Sequence, residues 1–180
     1  FSQHGIGRFR IAVTDDETMS PSRMTPWYVS GPYRAYDGKA AYETAYEPES
    51  GVDLQATYDD GRQKWAESIP GYADGQVHRL PGDGAATYLY RVVRAPSDRT
   101  MELAVGSNDA VKVWVNGEVV HDNNTERTIT PDQDRITVNL NKGENALLMK
   151  VVNYGNDYAF SFRKVEEEAG AVPMDIEVLL

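Results

Sequence analysis

Two short polar clusters in this chain hold residue types from which binding sites are built. Asn108 and Asp109 open the stretch GSNDAVKVWVNGEVVHDNN, residues 106–124, and His121, Asp122, Asn123 and Asn124 close it. Carboxylate and carboxamide groups in such clusters have two uses. They bond the hydroxyls of a polyol or coordinate a hard cation, or they tie down backbone N–H groups as turn formers. Aromatic rings are the complementary supply, because a sugar offers C–H faces that stack on them. Trp114 lies between the two clusters, Tyr154 and Tyr158 flank the tripeptide GND, and Tyr33, Tyr36 and Tyr72 stand in turn-rich segments. Each ring also reads as one that seals the edge of a sheet.

Covalent and metal chemistry find little support. His4, His78 and His121 stand in no paired spacing that would put two ligands on one element, and there is no Gly-x-Ser-x-Gly elbow and no Walker loop. GIGRFR carries two glycines of a dinucleotide fingerprint but leads into a strand rather than a helix. Carboxylates on facing strands would suit glycoside hydrolysis. Most of them, however, fall in YDDGRQ, PGDG and TPDQD, where Asp and Gly serve turn geometry. No catalytic residue is assigned, and a glycosidase fragment ranks last among the readings.

Lys and Arg total 18 against 28 Asp and Glu, a formal net charge of −10, which repels a phosphate backbone and argues against nucleic acid. With no cysteine, disulfides and thiolate chemistry are excluded. No apolar stretch approaches the roughly 20 residues of a membrane span, so no membrane insertion is expected.

The elements that must position these residues are strands. Eleven Tyr, 15 Gly and 9 Pro describe sheets joined by tight turns. Met101, Leu103 and Val105, then Val111, Val113 and Val115, then Ile136, Val138 and Leu140 recur with period two and are the expected core. Lys112 and Trp114 fall on the opposite face of their strand. Asn116-Gly117 predicts a two-residue hairpin turn that brings Val115 against Val119 or its neighbour. DGKAAYETAYEPES after a possible Asp cap predicts one short helix near residues 38–46, stopped by Pro48. Two facing sheets are the economical way to bury these apolar faces, which predicts an all-β jelly-roll β-sandwich. Its expected bounds are 27–165. GRFRIAVT in residues 1–14 reads as a strand from or shared with a preceding domain, 15–26 as linker, and 166–180 as linker opening a following segment. The chain reads as a piece of something larger.

The strings YLYRVV, LAVGSNDAVKVWVNGEVVHDNN, PDQDRITVNLNKGENALLMKVVN and YAFSFR resemble the galactose-binding-domain-like jelly roll of large planctomycete surface proteins that also carry cytochrome c-type domains. GSNDAVKVWVNGEVV is also similar to the sugar-binding jelly roll of family 2 glycoside hydrolases and to the lectin-like module named after anthrax protective antigen. In the last group an Asp-Asp pair holds calcium and the calcium holds the sugar. The matching positions here are Asn108 and Asp109, and an amide in place of the first carboxylate loses one charge that calcium favours. The resemblance implies a non-catalytic carbohydrate-binding module that requires no cofactor, with calcium at Asn108 and Asp109 as the one metal to test. Its ligand would be a polysaccharide or other glycan, and its setting secreted, cell-surface or periplasmic. The sequence-derived glycan candidates are Trp114, Tyr154, Tyr158, His121, Asn123 and Asn124. The alternative is a structural module that spaces domains or pairs subunits through its N-terminal strand, as a homo-oligomer or by strand exchange.

Overall fold

Alternating side chains and positive-φ turn residues cut this chain into short antiparallel strands. The computed structural model describes residues 20–169, apart from 70 and 156. The strand expected within residues 1–14 and the segment after 169 lie outside these residues. In chain order the elements are β1 (Arg23–Met24), β2 (Tyr28–Arg34), α1 (Gly38–Glu43), a 3₁₀ turn (Glu47–Ser50), β3 (Thr57–Tyr58), β4 (Gln63–Lys64), β5 (Ala66–Glu67), β6 (Val77–Arg79), β7 (Ala85–Ala95), β8 (Arg99–Asn108), β9 (Ala110–Val115), β10 (Glu118–Asn123), β11 (Asp134–Leu140), β12 (Gly143–Val152) and β13 (Ala159–Ala169). One sheet runs β10-β9-β12-β7-β2-β5, with β1 also against β7, and the other runs β11-β8-β13-β6. The result is the all-β jelly-roll sandwich that the period-two pattern predicts. No helix among the described residues is long and apolar enough to cross a membrane.

Between the sheets, all three expected sets meet. Met101, Leu103 and Val105, Val111, Val113 and Val115, and Ile136, Val138 and Leu140 pack with Trp27, Leu89, Leu147, Met149, Phe160 and Phe162. The outer face of the larger sheet is covered as well. Trp114, Leu148, Val152, Tyr88 and Tyr33 pack there under Ala41 and Tyr42 of α1 and under Tyr58 and Trp65. The central strands are therefore buried on both sides, which is why β12 reads ALLMKVV rather than a clean alternation.

The helix is shorter than expected. Asp37 caps it, its side chain accepting from the Ala40 N–H at 2.8 Å, and it ends at Glu43. Pro48 opens the separate 3₁₀ turn instead of stopping α1. Lys150 on β12 fixes this layer to the sheet. Its ammonium donates to the carbonyls of Tyr42 at 2.9 Å and Thr44 at 2.7 Å, and to Glu49 Oε1 at 2.8 Å. The rings of Tyr42, Tyr46 and Tyr88 surround the charge at 5.3–5.9 Å.

The Asn116-Gly117 hairpin forms as expected. Both residues have positive φ, 52° and 84°, which matches the twist of the flanking strands. Val115 pairs with Glu118, the neighbour of Val119, and Val119 with Trp114. The Asn116 amide donates to Asn145 Oδ1 and accepts from the Ala146 N–H, both at 2.9 Å. Replacing Asn116 by Ala loses these two bonds and puts at positive φ a residue that tolerates the left-handed conformation less well than asparagine. The expected loss is about 1–2 kcal/mol in urea unfolding, and an unchanged midpoint would show that the turn is set elsewhere.

At both ends of the described residues the chain adheres to the sandwich. Within the 15–26 stretch expected as linker, Arg23–Met24 pairs with Arg94 and Val93. At the other end β13 continues past 165, because Glu167 faces inward onto Arg99 at 2.5 Å and accepts from the Ser22 N–H at 2.8 Å. Burial alone would raise the Glu167 carboxyl, but the bonds from Lys164, Ser22 and Arg99 hold it down at about 2. A carboxyl whose folded value is depressed stabilises the fold above its unfolded value near 4.5 and loses that contribution as the pH falls toward 2. Melting curves of the native chain and Glu167→Gln are therefore expected to differ most at neutral pH and to converge in acid. A constant gap across that window would contradict the assignment.

Candidate functional site

The two polar clusters converge. β8 ends and β9 begins at one end of the sandwich, where β2 also ends and the 124–133 and 153–158 loops return. At this end a cleft of about 480 Å³ is lined by Asn108, Asp109, Glu126, Arg127, Thr128, Gly155 and Asp157. The peptide between Asn108 and Asp109 is cis.

Asp109 organises the cleft walls. It is 4 % exposed, and its Oδ1 accepts from the Arg127 N–H at 2.9 Å while Oδ2 accepts from the Tyr154 N–H at 2.7 Å. One carboxylate thus holds two loops. Arg127 reinforces them with a two-pronged pair to Asp134, at 3.1 and 2.5 Å, and a bond to Ser107 Oγ at 2.8 Å. Burial would raise the Asp134 carboxyl, but Arg127 outweighs it and leaves the group below the ordinary carboxylate range. Asn123 donates to Asp134 Oδ1 at 3.2 Å. His121 Nε2 lies 3.2 Å from Asp134 Oδ2, although no hydrogen bond of acceptable geometry forms. Tyr154 donates its hydroxyl to Asn124 Oδ1, and partial burial, then Asp109, push its phenol up to about 12.

The sequence candidates therefore divide. Tyr154, Asn123 and Asn124 are hydrogen-bonded at the loop end with Asp109 and Asp134, and Asn108 and His121 lie at the same end without a side-chain hydrogen bond among the described residues. Tyr158 does not. It is 3 % exposed, packs between the sheets and donates to the Val151 carbonyl at 2.7 Å, so it is a core residue and not a ligand platform. Trp114, 6 % exposed, lies away from the rim on the outer sheet face and is likewise removed from the loop-end set. Tyr33 is fully buried, whereas Tyr36 is 97 % exposed one residue before the Asp37 cap. Gly38 beside it is demanded by close approach, since a β-carbon would meet the Asn153 carbonyl at 2.2 Å.

Calcium does not fit this arrangement well. Asn108 brings a neutral amide, both Asp109 oxygens already accept backbone N–H groups, and Asp157 pairs with Arg79 at 2.6 Å. The Arg127 cation shares the cleft. Among the described residues no three His, Asp or Glu side chains are grouped to hold a metal.

No family model and no curated protein matches the chain. Three solved structures align with the chain at low identity. The PA14 domain of the MpAFP antifreeze protein is 15 % identical, with a TM-score of 0.47 over 87 % of this chain and 88 % of its own. A family 35 carbohydrate-binding module from Clostridium thermocellum is 12 % identical, with a TM-score of 0.38 over 84 % of this chain and all of its own. A β-glucosidase from Kluyveromyces marxianus, solved with glucose, aligns over 77 % of this chain but only 16 % of its own length, at 6 % identity and a TM-score of 0.42.

Sequence reasoning missed Glu126, Arg127, Thr128, Asp134 and Asp157. The available signal was topological. In an antiparallel sandwich the loops after β10 and β12 must return to the end where β8 meets β9.

Proposed function

We propose that this chain is a non-catalytic module that binds carbohydrate at the loop end of its sandwich. The observation that carries the reading is the composition of the cleft. Asn108, Glu126 and Thr128 line it, and none makes a side-chain hydrogen bond among the described residues, while Asp109 and Arg127 are locked into the wall behind them. A rigid wall with free amide, carboxylate and hydroxyl groups suits a ligand rich in hydroxyls, which both donates and accepts. The resemblance to planctomycete surface-protein modules supports placing it in a large secreted or cell-surface protein.

A glycan array followed by titration calorimetry tests this. Asn108→Ala and Glu126→Ala are each expected to weaken binding about threefold to tenfold, the value of one lost hydrogen bond. Absence of binding to any glycan, or affinity unchanged in both variants, would remove the reading. Because calcium fits poorly, a chelator is expected to leave both the melting temperature and glycan affinity unchanged. A rise in melting temperature with added calcium would reverse that expectation.

A structural role is favoured by one observation only. β10 is an outermost strand, and Val119 on it is 53 % exposed. If copies associate through this edge, Val119→Lys should shift sedimentation toward the monomer.

A further inference from the structure

One cross-strand row traverses the outer face of the larger sheet. Reading partners from strand to strand, Val119 faces Trp114, Trp114 faces Leu148, Leu148 faces Tyr90, and Tyr90 faces Tyr28. Adjacent members are set one strand apart, roughly 4.8 Å. Most of this face lies under α1 and the segments that follow it, but the middle of the row is open. Trp114, Leu148, Tyr90 and Ala146 floor a cleft of about 290 Å³, walled by Pro48, Glu49 and Val52 among others.

Three polar groups at this cleft lack partners among the described residues. Trp114 is 6 % exposed, and its indole N–H makes no hydrogen bond and is not among the fully buried unpaired groups, so it keeps contact with solvent. The Tyr90 hydroxyl makes no hydrogen bond. Glu49 receives the Lys150 ammonium and the Tyr88 hydroxyl on Oε1, at 2.8 and 2.5 Å, which leaves Oε2 without a donor. Polar groups that are open to solvent in a cleft and not used by the protein are available to a ligand. Here two donors and one acceptor stand among the residues of a cleft floored by Trp114, Leu148 and Tyr90.

We propose that this side cleft is a second binding site, taking one pyranose ring of a glycan. The C–H face of the sugar lies on Leu148 and the rings of Tyr90 and Trp114, and its hydroxyls bond the Trp114 N–H, the Tyr90 O–H and Glu49 Oε2. Volume favours a single ring over a longer apolar ligand, and the polar groups favour a hydroxylated one. The inference shares its ligand class with the loop-end reading and none of its residues.

The chain has three tryptophans, so the indole region of a ¹⁵N–¹H correlation spectrum resolves the sites directly. Trp27 is 1 % exposed and the Trp65 N–H is bonded to the Tyr58 hydroxyl at 3.3 Å, which makes them internal references. Trp114→Phe assigns the third signal while keeping a ring in place. On titration with cellohexaose, xylohexaose and mannohexaose, the Trp114 indole signal is expected to move saturably with at least one of them. Tyr90→Phe should then weaken that affinity about threefold to tenfold. The signal should still move in Asn108→Ala. If it moves in the native chain but not in Asn108→Ala, the site is at the loop end alone and this inference is overturned while the loop-end function stands. If it stays fixed with all three sugars, the cleft is a structural gap and the inference fails, whatever calorimetry shows for the loop end.

Discussion

Replacing Lys150 by methionine is expected to lower the unfolding free energy by about 3–5 kcal/mol, the usual result of removing one partner from a buried pair. The unbranched apolar stem is kept and only the ammonium position is lost, so the change removes chiefly the charge and its hydrogen bonds. Lys150 is 1 % exposed and spends all three ammonium hydrogens, on the Tyr42 and Thr44 carbonyls and on Glu49. The two carbonyls lie at the end of α1, where a helix has no internal donors left to offer. Burial pulls the lysine below its ordinary value, and Glu49 opposes that shift. Methionine would strand two carbonyls and a carboxylate beneath the tyrosine rings. Urea unfolding measures the loss, and proteolysis within 44–58 should accelerate with it. The double variant Lys150→Met, Glu49→Gln should recover part of the stability, since it also removes the unpaired charge. A loss below about 1 kcal/mol would mean that the outer layer is held by its rings alone.

Asp109→Ala is expected to be the next most damaging change, at about 2–5 kcal/mol, since it leaves two backbone N–H donors unsatisfied in a nearly closed site. Those donors belong to Arg127 and Tyr154, on different loops, so both walls of the loop-end cleft should loosen together. Asp109→Asn retains one carbonyl acceptor and should lie between the two. Hydrogen exchange separates this from a general loss of stability. The amides of Arg127 and Tyr154 should exchange faster even where those of β12 remain protected. If both amides kept their protection, the carboxylate would not be the tie that the geometry describes.

The core was legible because it obeys a period of two. Val111, Val113 and Val115 alternate with Lys112 and Trp114 on the other face, and Asn-Gly marks the turn unambiguously. Tyr158 was legible too, since it falls in phase with Phe160 and Phe162, and all three pack between the sheets. Its place beside GND made it look like a loop ring. Trp114 takes the face that alternation assigns it, but what covers that face was not legible. Alternation says only which face a residue takes, and nothing local announces that residues 46–58 fold over the outer face. A lone lysine inside ALLMKVV was the clue that this face was covered, because a charge there needs a buried partner. The loop-end network depended on Arg127 meeting Asp134 and Asp109 meeting Tyr154. Those pairings arise from the return of separate loops and leave no periodic trace.

The amide lock at Asn116 also bears on how the molecule ages. In an Asn-Gly pair the glycine nitrogen readily attacks the asparagine side-chain carbonyl carbon and expels ammonia, closing a succinimide that water then opens to aspartate or isoaspartate. In this hairpin the Asn116 amide is held at both ends by Asn145 and Ala146, and cannot swing back onto the Gly117 nitrogen without leaving them. The folded turn therefore shields its own weakest bond. Isoaspartate at 116, read by mass spectrometry, becomes a cumulative record of the time each molecule has spent with this hairpin open.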